Sequence, residues 1–385
     1  MAEVVPVEPR VLVWARTSAL ASVAEAAECT GREPQTIRDW EEGRSHPTFS
    51  QLERLADEYG VSVNVLLLPQ PPQSPEPPPD FRSPSASREP ISRITRRELR
   101  RARHLQALLG EVTVLPALAI PTLEPGADAA SVRKALGVPI LDQLRWRDSN
   151  HALREWRAAL NRLGILVLQY GLPREELQGL SLPAARGGPP VVLLNQSDAV
   201  NARNFTMIHE FAHLVLGREG AICDPWRHGT RLSPTSLEAR CNQIAGAVLV
   251  PGQHLREQRE ATLIAAESDD EERIKLLRTL GTRYKVSGQV IWYRVHDLGL
   301  VSGATFHQLW PKLRPAPKVK QPAAADEERS GIPRWSRAHS RFGPQLLSGL
   351  LGAVERGSIE PTRVMRALHL GSGDLARLQA NPGGA

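Results

Sequence analysis

Residues 191–217 read VVLLNQSDAVNARNFTMIHEFAHLVLG. The apolar run Val191–Leu194 reads as a strand, and a polar turn follows it. Phe205, Ile208, Ala212 and Val215 then recur at helical spacing, so the strand leads into an amphipathic helix. That helix carries His209-Glu210-Phe211-Ala212-His213. Histidines at i and i+4 project from one face about 6 Å apart along the axis, so both imidazoles reach a single metal ion. The glutamate between them is placed to take a proton from a water on that metal. Zinc would lower the pKa of such a water toward ~7 and polarise a carbonyl. A solvated surface helix is the plain alternative. The apolar flanks FTMI and LVLG weigh against it, because a buried His, Glu and His need partners.

A catalytic zinc takes a third protein ligand and keeps a position open. One class of zinc peptidase places Gly three and His six residues after the second histidine. Leu216 and Glu219 stand there, which excludes that class. Glu238 is the better candidate, because it opens the helix SLEARCNQIAGAVLVP, whose Ile244, Val248 and Leu249 can pack it against the motif helix. Glu238 as a first-turn glutamate favoured by the helix dipole is the alternative. Glu219, Asp224 and His228 are weaker ligand candidates, since their loop has no periodicity to fix them. Cys241 reads as a buried thiol before it reads as a soft ligand.

Further upstream, HALREWRAALNRLG and ILVLQY pair a helix with a short strand. Arg203, Phe205, Thr206, His209, Glu210 and His213, followed by Glu238, Cys241, Asn242, Ala245, Leu249 and Pro251, form two motifs. Together they resemble the ImmA/IrrE family of metallopeptidases, over about residues 131–311. The resemblance implies a zincin-like α+β domain with Zn2+ on His209, His213 and Glu238, and Glu210 as general base. It also implies limited cleavage of a protein substrate, typically a helix-turn-helix repressor, in a stress or mobile-element response. Nucleic acid, for instance single-stranded DNA, would be a trigger. The motifs leave the oxyanion-stabilising residue open.

Residues 11–68 read as short helices, with Gly31, Gly43 and Gly60 each placed after a helical run. They resemble a Cro/CI-type (XRE) helix-turn-helix domain, which implies five helices and a reading helix around Pro34–Glu42. Gln35, Thr36 and Arg38 would then lie nearest the bases of an operator, with Trp40 in the core. The module departs from what DNA contact needs. Residues 1–68 carry 6 Arg against 11 Asp and Glu, and the reading helix sets Arg38 beside Asp39, Glu41 and Glu42. Docking a partner or dimerising through this domain is the alternative use.

The whole chain of 385 residues has a net charge of +6. That excess sits in residues 69–105 and after residue 311. Arg93, Arg96, Arg97, Arg100, Arg101 and Arg103 make a candidate nucleic-acid regulatory patch, with a solvated helix face as the alternative. Arg337 and Arg341 near Trp335 and Phe342 could stack on single strands, although an ordinary amphipathic bundle is the plainer account of them. Proline-rich composition marks 69–91 as a linker, and 312–333 as a second.

The expected order is therefore a helix-turn-helix domain at 1–68, the linker 69–91 and a basic helical segment at 92–130. The metallopeptidase domain at 131–311, the linker 312–333 and a small helical C-terminal domain at 334–385, read as three short helices, follow. The fold class is mainly α with a small β-sheet. Three widely spaced cysteines, no long apolar run and no leader-like N-terminus lead to the expectation of a cytoplasmic protein with no membrane contact. The rival function is an XRE-type transcriptional regulator with a structural or sensory metal.

Overall fold

Capping residues cut the N-terminal region into short helices: α1 Pro9–Ser18, α2 Val23–Thr30, α3 Pro34–Glu41, α4 Phe49–Tyr59 and α5 Val63–Leu66. The structure, a computed structural model, describes residues 4–72, 92–112, 114, 129–216, 237–313 and 333–381, excepting Leu20, Ser62, Glu175 and Arg186. Ser22 and Thr48 start α2 and α4 with reciprocal bonds to Glu25 and Gln51. Gly31 and Gly60 end the same helices at φ 66°, a left-handed conformation that glycine adopts without steric cost. Leu12, Ile37, Trp40, Leu52, Leu55, Tyr59 and Leu66 close the core between them. The five helices and the buried Trp40 match the sequence expectation.

A long helix, α6 Arg93–Glu111, follows. The chain divides into two units within it, the first ending at His104 and the second beginning at Leu105.

In the second unit, α7 Ala129–Leu136, α8 Ile140–Arg145 and α9 Ser149–Arg162 precede a three-stranded sheet. Its strands are β1 Leu166–Tyr170, β2 Gly179–Leu182 and β3 Val191–Asn195, in the order β1-β3-β2. β1 runs parallel to β3, with Leu166 opposite Val191. β2 runs antiparallel to β3, with Gly179 opposite Leu194 and Ser181 opposite Val192. The sequence reading has β1 and β3 but not β2. Four residues with small side chains at alternate positions carry little strand signal of their own.

The motif helix, α10 Val200–Val215, packs on one face of this sheet, and α11 Leu237–Leu249 packs beside it. Trp156, Phe211, Ile244, Val248, Leu249, Tyr284 and Trp292 share one core with Val167, Val192 and Leu194 of the sheet. Burying each such side chain contributes roughly 1.5–3 kcal/mol. The last carbonyls of α11 would otherwise be left without partners. Arg133 bonds Val248 O, and Gln143 donates to Leu249 O at 3.0 Å. These bonds tie down the helix that carries Glu238. Helices α12 Gly252–Arg256, α13 Arg259–Ala266, α14 Asp270–Tyr284, α15 Gly288–Asp297 and α16 Gly303–Leu313 complete this region.

The C-terminal segment forms four short helices where the sequence reading has three: α17 Arg334–Phe342, α18 Pro344–Glu355, α19 Pro361–Leu368 and α20 Ser372–Ala380. Gly343 at φ 79° followed by Pro344 separates the first two. The end of α17 is held by the buried Arg157, whose guanidinium donates to Ser340 O at 2.8 Å, Arg341 O at 2.9 Å and Val167 O at 2.5 Å. Almost all of the two proline-rich linkers lies outside the described residues. Among those described, no helix is long and apolar enough to cross a membrane.

Candidate metal centre

Helix α10 turns His209 and His213 toward the first turn of α11, where Glu238 stands. The two Nε2 atoms are 3.2 Å apart. Glu238 Oε2 lies 3.3 Å from His209 Nε2, and Oε1 lies 3.4 Å from His213 Nε2. Tetrahedral zinc bonds of 2.0–2.1 Å place neighbouring donors roughly 3.3 Å apart. The three donors thus already stand at the spacing one such ion requires, and they are of the types that bind it. Both histidines are fully buried and Glu238 is about one quarter exposed, at 24%. The centre therefore opens on the Glu238 side.

Burial favours the neutral form of every group here, and the local charges oppose it. The Cys241 and Glu238 side chains and the field of Glu210 outweigh burial at His213 and push its pKa up to about 11. Burial likewise works against ionised Glu238, but the two histidines hold its carboxyl well below the usual carboxylate range. At Glu210 burial wins, raising its pKa against the pull of His213, His209 and the Ser181 hydroxyl. Among the described residues neither Glu210 oxygen receives a hydrogen bond of normal geometry, although the residue is fully buried.

Glu210 thus sits on the same helix as the two histidines, one position from His209, as the sequence reading expects. Cys241 is buried and bonds His213, but it stands outside the convergent donor set. The alternative ligands Glu219, Asp224 and His228 lie outside the described residues. Sequence reasoning did not single out Gly179 and Ser181 of β2, which face Glu210. The small-large alternation of Gly179-Leu180-Ser181-Leu182 is the signal that could have found them.

A paired His-His-Glu set on two packed helices, with a buried glutamate beside it, is the arrangement of a metallopeptidase. Residues 160–296 match the family described as IrrE N-terminal-like domain, peptidase M78, and residues 22–66 match the helix-turn-helix family. No curated protein and no solved structure matches the chain. The chain is thus similar to an IrrE N-terminal-like domain over its middle part and to a helix-turn-helix near its N-terminus.

In that N-terminal domain Gln35 and Arg38 are exposed on α3, and Thr36 is half-buried. Arg38 donates to Gln35 Oε1 at 3.4 Å. The acids beside them are paired within the unit. Arg44 binds Asp39 at 2.6 Å and also Glu42, while Arg16 grips Glu41 with two bonds of 2.6 and 2.9 Å. The proposed basic patch is partly spent in the same way. Arg96 pairs with Glu25, and Arg100 donates to Ala19 O and Glu58 O. Arg97 and Arg101 meet Glu98. Arg103 lies on the same helix, and the Arg93 side chain is outside the described residues. In the tail, the Arg341 guanidinium lies over the Tyr170 ring and Phe342 meets that ring edge-on.

Proposed function

We propose that the protein is a zinc-dependent endopeptidase. The observation that supports this best is the mutual 3.2–3.4 Å spacing of His209 Nε2, His213 Nε2 and the Glu238 carboxylate beside the buried Glu210. Two histidines and a carboxylate suit zinc. When bound, zinc would polarise a peptide carbonyl and make water acidic enough to attack near neutral pH. His209, His213 and Glu238 would hold the ion. Glu210, with a raised pKa, is suited to take the attacking water's proton and return it to the leaving amine. The substrate is a protein, and the resemblance at the two motifs points to a helix-turn-helix repressor of a stress or mobile-element response.

The test is Glu210→Gln assayed on helix-turn-helix repressor proteins offered as substrates. The variant is expected to bind zinc as the wild type does and to lose cleavage by about 10²–10⁴-fold. Wild-type cleavage by that variant would remove Glu210 from the mechanism.

A second reading is favoured by the exposed Gln35 and Arg38 on α3, whose acidic neighbours are paired internally. In it, the helix-turn-helix domain binds an operator and the metal is structural or sensory. A DNA-shift assay distinguishes the two. Tight operator binding that is equal in wild type and Glu210→Gln, with no cleavage of the repressor, supports the second reading over the first. The Arg96 to Arg103 patch supports a single-stranded DNA trigger less well, because Arg96 and Arg100 turn toward Glu25 and backbone carbonyls. Equal cleavage with and without single-stranded DNA at low salt would end that idea.

A further inference from the structure

Alternate residues of a strand face opposite sides of the sheet. On the side turned to α10, β1 and β3 present Val167, Val192 and Leu194 to the main core. β2 presents Gly179 and Ser181 there. A Cβ at position 179 would lie 2.3 Å from Thr206 Cγ2 and 3.1 Å from both Cγ and Oε1 of Glu210. The β2 backbone is therefore pressed against the glutamate side chain. Ser181 is the next residue on that face and the first with a polar group to offer.

Ser181 is only 1% exposed, and its backbone is engaged in the ladder opposite Val192. Its Oγ makes no hydrogen bond of normal geometry among the described residues, and it acts on the Glu210 carboxylate, which borders Gly179 on the same face. A buried hydroxyl without a partner costs about 1–3 kcal/mol, so its presence here calls for a reason. Simple space-filling would be served as well by alanine.

We propose that Ser181 is a positioning residue for Glu210, its hydroxyl donating to the carboxylate and holding it beside the His209–His213–Glu238 donors, with Gly179 supplying the room. This rests on reading Glu210 as the base of the peptidase. Loss of the hydroxyl should leave the ligands in place and loosen the carboxylate alone.

The test uses the full-length, zinc-loaded protein titrated with acetohydroxamic acid. This probe gives up its hydroxyl proton to a neighbouring base when it binds a metal. Ser181→Ala is expected to bind it about tenfold more weakly than wild type. Ser181→Thr, which keeps the hydroxyl, is expected to bind it nearly as the wild type does. Zinc content and thermal midpoint should stay unchanged in both variants. Wild-type affinity in Ser181→Ala overturns the proposal, and so does loss of zinc from that variant, which would mark a purely structural role. Equal weakening in Ser181→Thr at an unchanged midpoint overturns it too. If the wild type itself takes no zinc, or takes zinc and does not bind the probe, the peptidase reading fails and the proposal falls with it.

Discussion

Helices α3 and α10 are both rich in polar residues, and they treat them in opposite ways. On α3 and its C-cap the acids have cations: Asp39 and Glu42 meet Arg44, and Glu41 meets Arg16. On α10 Thr206 Oγ1, His209 Nδ1 and both Glu210 oxygens are buried without normal hydrogen bonds among the described residues. Each such atom costs about 1–3 kcal/mol. The exposed helix settles its charges with nearby arginines, whereas the buried one leaves these polar atoms without such partners among the described residues. The difference separates the exposed α3 from the buried α10 more sharply than net charge does.

The hardest test of this contrast is His213→Ala. It removes one donor and one partner of Glu238. Metal affinity, measured by competition with a chelator, should fall by more than the roughly 100-fold that losing an outer partner of a ligand costs. Unchanged affinity would leave the α10 atoms unexplained.

Arg157→Met comes next. It strands three carbonyls, at Val167, Ser340 and Arg341, and should destabilise the larger unit by about 3 kcal/mol in urea unfolding. A neutral result would show that this unit tolerates lost bonds generally, which would blunt the comparison.

Gly179→Ala should cost about 2 kcal/mol by overpacking against Thr206 and Glu210, and Thr206→Ser, which deletes the nearest methyl, should recover part of it. Equal stability of the single and double variants would place the strain elsewhere.

The smallest effect concerns the N-terminal unit. Burial disfavours ionised Glu25, but the Ser22 amide and hydroxyl and Arg96 outweigh it and lower its pKa. A folded pKa below the unfolded one means the stabilisation is present above about pH 4.5 and is lost as pH falls through the lowered value. The change should stay under about 1 kcal/mol and should flatten in Arg96→Leu, as read from thermal midpoints at pH 6 and pH 3.

The helix that carries His209 and His213 was legible in the sequence because its information is local. His209 and His213 are one turn apart, and the apolar spacing around them identifies the buried face. Glu238 was legible because it opens a second apolar helix. β2 was not, because Gly179 and Ser181 are selected by α10 and β3 and not by strand propensity. Nor could segment charge reveal the fate of the arginines. It located the positive excess near residue 100, but Arg96 finds its partner 71 residues earlier in the chain. Long-range pairing of this kind leaves no periodic trace.

The hold of Arg157 on α17 also bears on the order in which the chain can fold. Its acceptors at Ser340 and Arg341 lie 183 and 184 residues further along. Loop-closure entropy makes such contacts late. During synthesis the arginine is made long before those acceptors emerge, so it must stay hydrated until they do. The sheet at the heart of the larger unit is therefore sealed by a segment made long after its own strands.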